Sequence, residues 1–405
     1  MTVAAIVGWF ERWKIALAIA FGIVVRLVCA VVRWGYWMDE ASLLTNVTQL
    51  TPRQMFGPLL NNQLAPPGFL ILAWLVDQVF GSKTPVFRAY MLVFGIGGIF
   101  LFLAVARRCL PTRAVFPAVL MFVSSNHLVY YASEFKQYAT DLVSALGCWL
   151  IGLTVGARPL TPVRSVALAL FGASIVWFSH PSIFVLAAVG LVGLHRAIAT
   201  RERRSAGLWL VVGAAWLASF ALVHRVSSRQ LDGLDNMWRF WGFAFPPIPP
   251  RSWLDATWFP RRLAYFFINP LDFYGPFDPR ISMLPAIGLA LVGTVRIWRE
   301  DRRRWALLFL PVIATVVATT FQLYPFHGRV ILFLVPVPLI AIASGLDAVR
   351  TLPGRVARVL YFTLVGLVLV YPSLLALDQT TEQRWAQNTH GDLHPADIEP
   401  YRFPF

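Results

Sequence analysis

Lipid, rather than water, is the solvent this chain is built for: the sequence predicts an all-α polytopic membrane protein. Of its 405 residues, 58% are hydrophobic and 14% charged, and the mean hydropathy is +0.63. Apolar runs of about 20 residues, the length that crosses the bilayer core as a helix, recur along it. A soluble domain of this length has no core large enough to hide that much apolar surface.

Eleven spans are expected, at 15–36, 86–106, 114–131, 139–156, 164–179, 182–196, 207–224, 282–298, 305–324, 329–349 and 356–376. The first is too long for a signal h-region and has no small-residue cleavage site before Trp37, so it reads as a retained span. The net charge of +15 raises the question of a nucleic-acid partner, and its distribution answers it. With the N-terminus cytoplasmic, the inner segments collect Arg12, Lys14, Arg107, Arg108, Arg113, Arg158, Arg164, Arg196, Arg201, Arg203, Arg204, Arg296, Arg299, Arg302 to Arg304, Arg350, Arg355 and Arg358, opposed only by Glu11, Glu202, Glu300, Asp301 and Asp347. Nearly all of the excess is therefore the positive-inside signal of an inner-membrane protein, and no nucleic acid is needed. Counting Arg33, at the outer end of the first span, the outer segments are balanced. Arg26, mid-span, must face the bundle interior or snorkel. The cysteines Cys29, Cys109 and Cys148 have no spacing that implies a disulfide or a zinc site.

The apolar segment 66–80, "PPGFLILAWLVDQVF", is short, opens on two prolines and contains Asp77. Counting it as a span would move every later arginine cluster outside, so it is expected to lie in the outer interface. Two outer loops are long. The first is 37–88; the second, 226–280, holds Trp238, Trp241, Trp253 and Trp258 among many prolines. Its tryptophans suit either an interfacial belt or the wall of a substrate groove. The expected organisation is a transmembrane module over 1–226 that includes the first outer loop, the second outer loop over 227–281, C-terminal helices over 282–376 and an outer polar tail over 377–405.

The residues able to carry chemistry gather at outer span ends. Asp39 and Glu40 follow the first span in "WMDEASLL"; such acids are also ordinary in hydrated loops. In "SNHLVYYASEFKQYATDL", a helix from Glu134 would bring Glu134, Gln137, Tyr138 and Asp141 onto one face, with Lys136 beside them. "FQLYPFHGRVILFLVP" puts His327 and Arg329 at the same surface, and "WFSHPS" adds His180. Lys136 offers a phosphate a point charge and Arg329 a planar fork, although either is equally an interfacial anchor. Carboxylates, cations and surrounding aromatics together suit an anionic lipid-linked donor and a hydroxyl acceptor. A carboxylate can take the acceptor's proton, while cations stabilise the departing phosphate. No Walker A sequence or dinucleotide fingerprint is present.

These motifs resemble the GT-C superfamily of membrane glycosyltransferases, in the branch of protein O-mannosyltransferases and lipid A aminoarabinose transferases. Asp39-Glu40 is similar to that family's acidic motif in the first outer loop. "APPGFLILAWLVDQVFG" looks like its proline-initiated juxtamembrane helix, and "YYASEFKQYATDL" like its second acidic loop, with Phe135, Lys136 and Gln137 replacing a central Ala-Arg-Pro. The resemblance implies a GT-C-like bundle that transfers a sugar, with inversion, from a polyprenyl-phosphate carrier to an envelope glycan, lipid or protein acceptor. It implies Asp39 as general base and Glu134 as second carboxylate, with Lys136, Arg329 and His327 on the phosphate. Glu40, Tyr138 and His180 are further candidates. One departure stands out: where the aminoarabinose branch keeps a phosphate-binding lysine, "NNQLAPP" has Gln63. The sequence requires no cofactor, but relatives in the superfamily leave room for a divalent metal. With no large soluble C-terminal domain, acceptor recognition is expected to fall to the two outer loops. The competing classes are a lipid-linked sugar flippase or transporter, for which Arg26 would mark a substrate path, and a non-catalytic envelope scaffold.

Single cysteines introduced beside Asp39 and beside Lys136 should both react with a membrane-impermeant maleimide added outside. Reaction from opposite sides would make 66–80 a span and separate the two motifs.

Overall fold

The structure, a computed structural model, describes residues 3–32, 35–156, 158–231, 239–273 and 278–381; Arg33, Trp238 and the tail 382–405 lie outside the described residues. Among the described residues every regular element is helical, as a chain in lipid requires when each backbone N–H and C=O must find a partner within its own segment. In order, the first ten α-helices are α1 Val3–Val32, α2 Met38–Gln49, α3 Pro67–Phe80, α4 Thr84–Cys109, α5 Thr112–Ser124, α6 Asn126–Tyr130, α7 Tyr138–Val155, α8 Pro162–Ile175, α9 Ser182–Ala199 and α10 Arg203–Gln230. The later long helices are Leu284–Glu300, Arg302–Thr320, Pro336–Arg350 and Arg355–Val365, the last continued by a π-turn into Tyr371–Thr381.

Among the described residues, eight helices are long and apolar enough to cross a bilayer, and the bent pair Gly328–Leu334 with Pro336–Arg350 makes a ninth. The expected spans 114–131 and 164–179 correspond to the shorter helices α5 and α8. At 1.5 Å per residue these are about 20 Å long, short of a core about 30 Å thick, so length alone does not give eleven. The tenth expected span is not one straight helix. Its first turns are a 3₁₀ segment, Gly328–Leu334, meeting Pro336–Arg350 at 58°, where Pro336 and Pro338 cannot donate the backbone bonds that would continue a helix.

Close packing comes from small residues, as usual where lipid removes the hydrophobic drive between helices. Leu284–Glu300 lies directly on Pro336–Arg350: a Cβ on Gly293 would sit 1.8 Å from the Ala341 carbonyl oxygen, and one on Gly345 2.0 Å from that of Leu289. Beside the main core, a second apolar cluster joins Leu43 and Val47 of α2, Phe69, Leu70 and Ala73 of α3, Phe87 and Met91 of α4, and Phe135. Helix α3 is about 21 Å long by the same rise and buries one face in this cluster while Val79 and Phe80 at its end stay exposed.

The segment between α6 and α7 departs from the expected helical stripe. Helix α7 starts only at Tyr138, so Tyr138 and Asp141 share its first turn while Glu134 lies in the preceding turns. The cause is a buried ion pair. Arg88 of α4 and Glu40 of α2 meet side chain to side chain, with a second contact from Arg88 Nη2 to Glu40 Oε2 of 2.9 Å. Arg88 also donates to the carbonyls of Ser133 (2.7 Å) and Gly35 (2.7 Å), and Glu40 accepts from the amides of Phe135 (2.6 Å) and Trp37 (2.9 Å). These side chains engage backbone groups that an uninterrupted helix through 133–135 would need. Ser125 breaks the other end: its extended backbone separates α5 from α6, and its hydroxyl caps α6.

Removing one member of a buried pair leaves the other charged and unsatisfied. Arg88→Leu should therefore lower stability by about 3–5 kcal/mol, and the double variant Glu40→Leu/Arg88→Leu should recover part of the loss. Thermal unfolding of purified protein reads both; independent, additive losses would mean that the pair is not coupled.

Candidate functional site

Glu40, fixed to Arg88, sets the position of its neighbour. Asp39 lies one residue earlier in the first turn of α2, and its carboxylate bridges two cations from distant parts of the chain: Oδ1 to Lys136 Nζ at 2.9 Å and Oδ2 to Arg329 Nη2 at 3.1 Å. Lys136 comes from the turns before α7 and Arg329 from the 3₁₀ segment after His327. Lys136 also donates to Gln63 Oε1 at 2.6 Å, so the ammonium sits at the residue that departs from the resemblance motif. The Arg329 guanidinium lies 5.6 Å from the Tyr138 ring centroid. Glu134 is fully buried and its charge acts on both Lys136 and Arg329. Two carboxylates and two cations thus share one neighbourhood.

Burial by itself would raise the Asp39 carboxyl, but Lys136 and then Arg329 outweigh it and hold Asp39 below the ordinary carboxylate value. Asp39 keeps 22% of its side-chain surface exposed and Arg329 20%, while Lys136 keeps 5%, so a solute can reach the carboxylate and the guanidinium but hardly the ammonium.

The remaining candidates lie elsewhere or do other work. Glu40 is engaged by Arg88 and by two backbone amides, so it shapes the site without facing it. His327 is turned into a cage from the second long loop: Nδ1 is 3.0 Å from Arg262 Nη1, Tyr265 stacks on the ring at 5.6 Å, and Phe243 meets its edge at 5.0 Å. Burial, helped by Arg262 and Arg329, pushes it down to about 3, and a neutral imidazole offers a phosphate no charge. His180 sits between α8 and α9, bonded to Ser227 of α10 at 2.9 Å and pushed down to about 4 by burial. It ties the α8–α9 turn to α10, and none of its contacts reaches Asp39. Of the loop tryptophans, Trp258 is buried and Trp253 exposed.

Two pairs escaped sequence reasoning. Arg88–Glu40 is one; its only signal was an arginine at the start of an apolar span. The other is His127–Asp272. Asp272 accepts from His127 Nδ1 (2.5 Å), the His127 amide (2.9 Å) and Ser125 Oγ (3.0 Å), fastening the second long loop onto α6. Nothing in the spacing of 127 and 272 announces it.

Among the described residues no three His, Cys, Asp or Glu groups converge. Beside Asp39 the places of a cation are taken by Lys136 and Arg329.

No protein-family model and no curated protein sequence matches this chain. Solved structures do. ArnT from Cupriavidus metallidurans, bound to undecaprenyl phosphate, superposes with a TM-score of 0.57 at 18% identity, over 94% of this chain and 77% of its own. The archaeal oligosaccharyltransferase AglB from Archaeoglobus fulgidus, in complex with an inhibitory peptide and a dolichol-phosphate, gives 0.53 at 12% identity over 94% of this chain. The chain spans 58% of that protein's length. A structure of an Archaeoglobus fulgidus oligosaccharyltransferase in complex with Zn and sulfate gives 0.51 at 13% identity. At these identities the likeness shows the fold alone, the helical membrane bundle of those structures.

Proposed function

We propose that this protein is an inverting glycosyltransferase that moves a sugar from a polyprenyl-phosphate carrier to a hydroxyl acceptor, at the outer face of the cytoplasmic membrane, with its N-terminus inside. The observation that carries the proposal is the bridge of Asp39 to Lys136 and Arg329, in a fold shared with proteins solved holding undecaprenyl phosphate and dolichol-phosphate.

The arrangement suggests an exchange of anions. A carboxylate held low by two cations is a weak base, and the useful base has its pKa nearer the working pH. The phosphate of the donor is a second anion competing for the same ammonium and guanidinium, and Arg329 offers it the planar fork that such groups prefer. Once Lys136 and Arg329 turn to the phosphate, Asp39 is released and its basicity rises. It then takes the proton of the acceptor hydroxyl as the acceptor oxygen bonds to the anomeric carbon. The bond from that carbon to the phosphate oxygen breaks, and the polyprenyl phosphate leaves with the electron pair, its charge stabilised by the two cations. A single displacement of this kind inverts the anomeric centre. Glu134, buried against both cations, would orient them or the acceptor. The ammonium at Gln63 supplies the charge that relatives take from a lysine there.

The transport alternative is not favoured by Arg26. That guanidinium is fully buried, donates to the carbonyls of Gly22 and Val123 at 3.1 Å each, and packs 6.0 Å from the Phe122 ring centroid. It is a cross-link between α1 and α5.

Asp39→Asn, folded and inserted, should lose at least about 100-fold in turnover of a polyprenyl-phosphate sugar, the usual scale of a general base, with Asp39→Glu retaining part. Full activity in Asp39→Asn would remove the base assignment; no turnover or binding of any such donor by the wild type would favour transport. The pH profile carries a sharper signature. Asp39 must be deprotonated to act, and in the free protein it is held low. The acid limb of kcat/KM, which reports the free enzyme, should therefore lie below the ordinary carboxylate value of about 3.9. The acid limb of kcat, which reports the donor complex, should lie at higher pH. Coincident limbs would contradict the exchange.

A further inference from the structure

At the other end of α7 from Lys136, 18 residues or about 27 Å away, lies a second charged pocket that sugar transfer does not use. Its volume is about 510 Å³, and it is lined by Arg108, Arg158, Arg303 and Arg304, with Asp301 the one acid among its lining residues. Leu153 and Leu307 supply its apolar wall.

Three of the four guanidinium groups are fixed rather than loose. Arg303 Nη2 donates to the Gly152 carbonyl at 2.8 Å, Arg304 Nη1 to that of Cys109 at 3.1 Å, and Arg108 Nη1 to that of Ala104 at 2.9 Å. Helix-end carbonyls thus hold one nitrogen of each, leaving a fork that carries five donors with capacity for an anion. Asp301 is partly occupied, capping the helix Arg302–Thr320 by accepting from the Arg304 amide at 2.9 Å. Two observations separate this pocket from an ordinary positively charged loop. Arg303 Nε is buried with no hydrogen-bond partner, whereas an arginine serving only topology is solvated by water. Gly156 leaves the space beside Arg303 open: a Cβ there would lie 3.0 Å from Nη2.

We propose that this pocket is a phosphate-binding site, taking the phosphate of an acidic phospholipid headgroup or a soluble phosphate. Four arginines against one acid supply the charge, forked guanidinium groups match phosphate oxygens, and the apolar wall suits the first carbons of a lipid. Basic pockets between helices at the arginine-rich end of membrane proteins recognise such headgroups. The site is independent of the Asp39 chemistry.

Purified protein in neutral detergent is titrated with dioctanoyl phosphatidylglycerol, dioctanoyl phosphatidylcholine and inorganic phosphate, following the thermal-unfolding midpoint and binding by thermophoresis. Phosphatidylglycerol or inorganic phosphate should raise the midpoint and bind saturably, phosphatidylcholine should not, and which of the two anions acts identifies the source. Arg108→Gln/Arg158→Gln, both exposed and remote from the core, should weaken binding about 25-fold, each charge near an anionic headgroup being worth roughly a factor of five; Arg303→Gln should weaken it about fivefold. Equal response to phosphatidylcholine, or undiminished binding by the double variant, overturns the proposal.

Discussion

The pair of Arg88 and Glu40 is the constraint on which the candidate site depends. It is buried, so each charge has lost its water, and the bonds that both Arg88 guanidinium Nη atoms and both Glu40 oxygens make offset part of that loss. Those beyond the pair itself are with backbone: the carbonyls of Gly35 and Ser133 and the amides of Trp37 and Phe135. Three chain segments that are distant in sequence are thereby locked to one another. Helix α2 begins where Glu40 caps it, α7 is delayed to Tyr138, and the turns between carry Lys136 to Asp39. An apolar pair of similar volume would pack as well but would not address backbone groups, so the ion pair supplies position more than stability.

In the site that results, opposite charges are set against one another. Asp39 lies within hydrogen-bond reach of both Lys136 and Arg329, which is what makes burying these charges tolerable, and Glu134 acts on both cations electrostatically. That balance has a functional consequence under the proposed reaction. A negatively charged donor is attracted by cations already in place, and what it displaces is the carboxylate that must next act. Binding and activation then become one event, with no separate switch. The second arginine-rich pocket has a different character: its charge is unbalanced and its acid is engaged in capping a helix.

Much of this was legible in the sequence because it follows from hydropathy and charge. The bundle, the arginine-rich end, and the gathering of Asp39, Lys136 and Arg329 at the opposite end all came from counting apolar runs and assigning sides. What was not legible depended on side chains reaching into distant backbone. Helical periodicity placed Glu134 on a stripe with Tyr138 and Asp141, yet Arg88 and Glu40 hold that stretch in turns. His327 reads as a phosphate ligand beside Arg329, but the second long loop folds over it and Arg262 and Tyr265 claim its ring. Asp272 and His127 meet across 145 positions, a separation that no local pattern encodes. Helix lengths were similarly affected: α5 ends at Ser124 because Ser125 and Asp272 together cap a new helix.

The most direct test of the central claim is a structure of this protein with a polyprenyl phosphate bound. Phosphate oxygens should lie within hydrogen-bond distance of Lys136 Nζ and the Arg329 guanidinium, with the Asp39 carboxylate displaced from both and open to solvent. A phosphate bound elsewhere, with the Asp39 bridge to Lys136 and Arg329 intact, would contradict it.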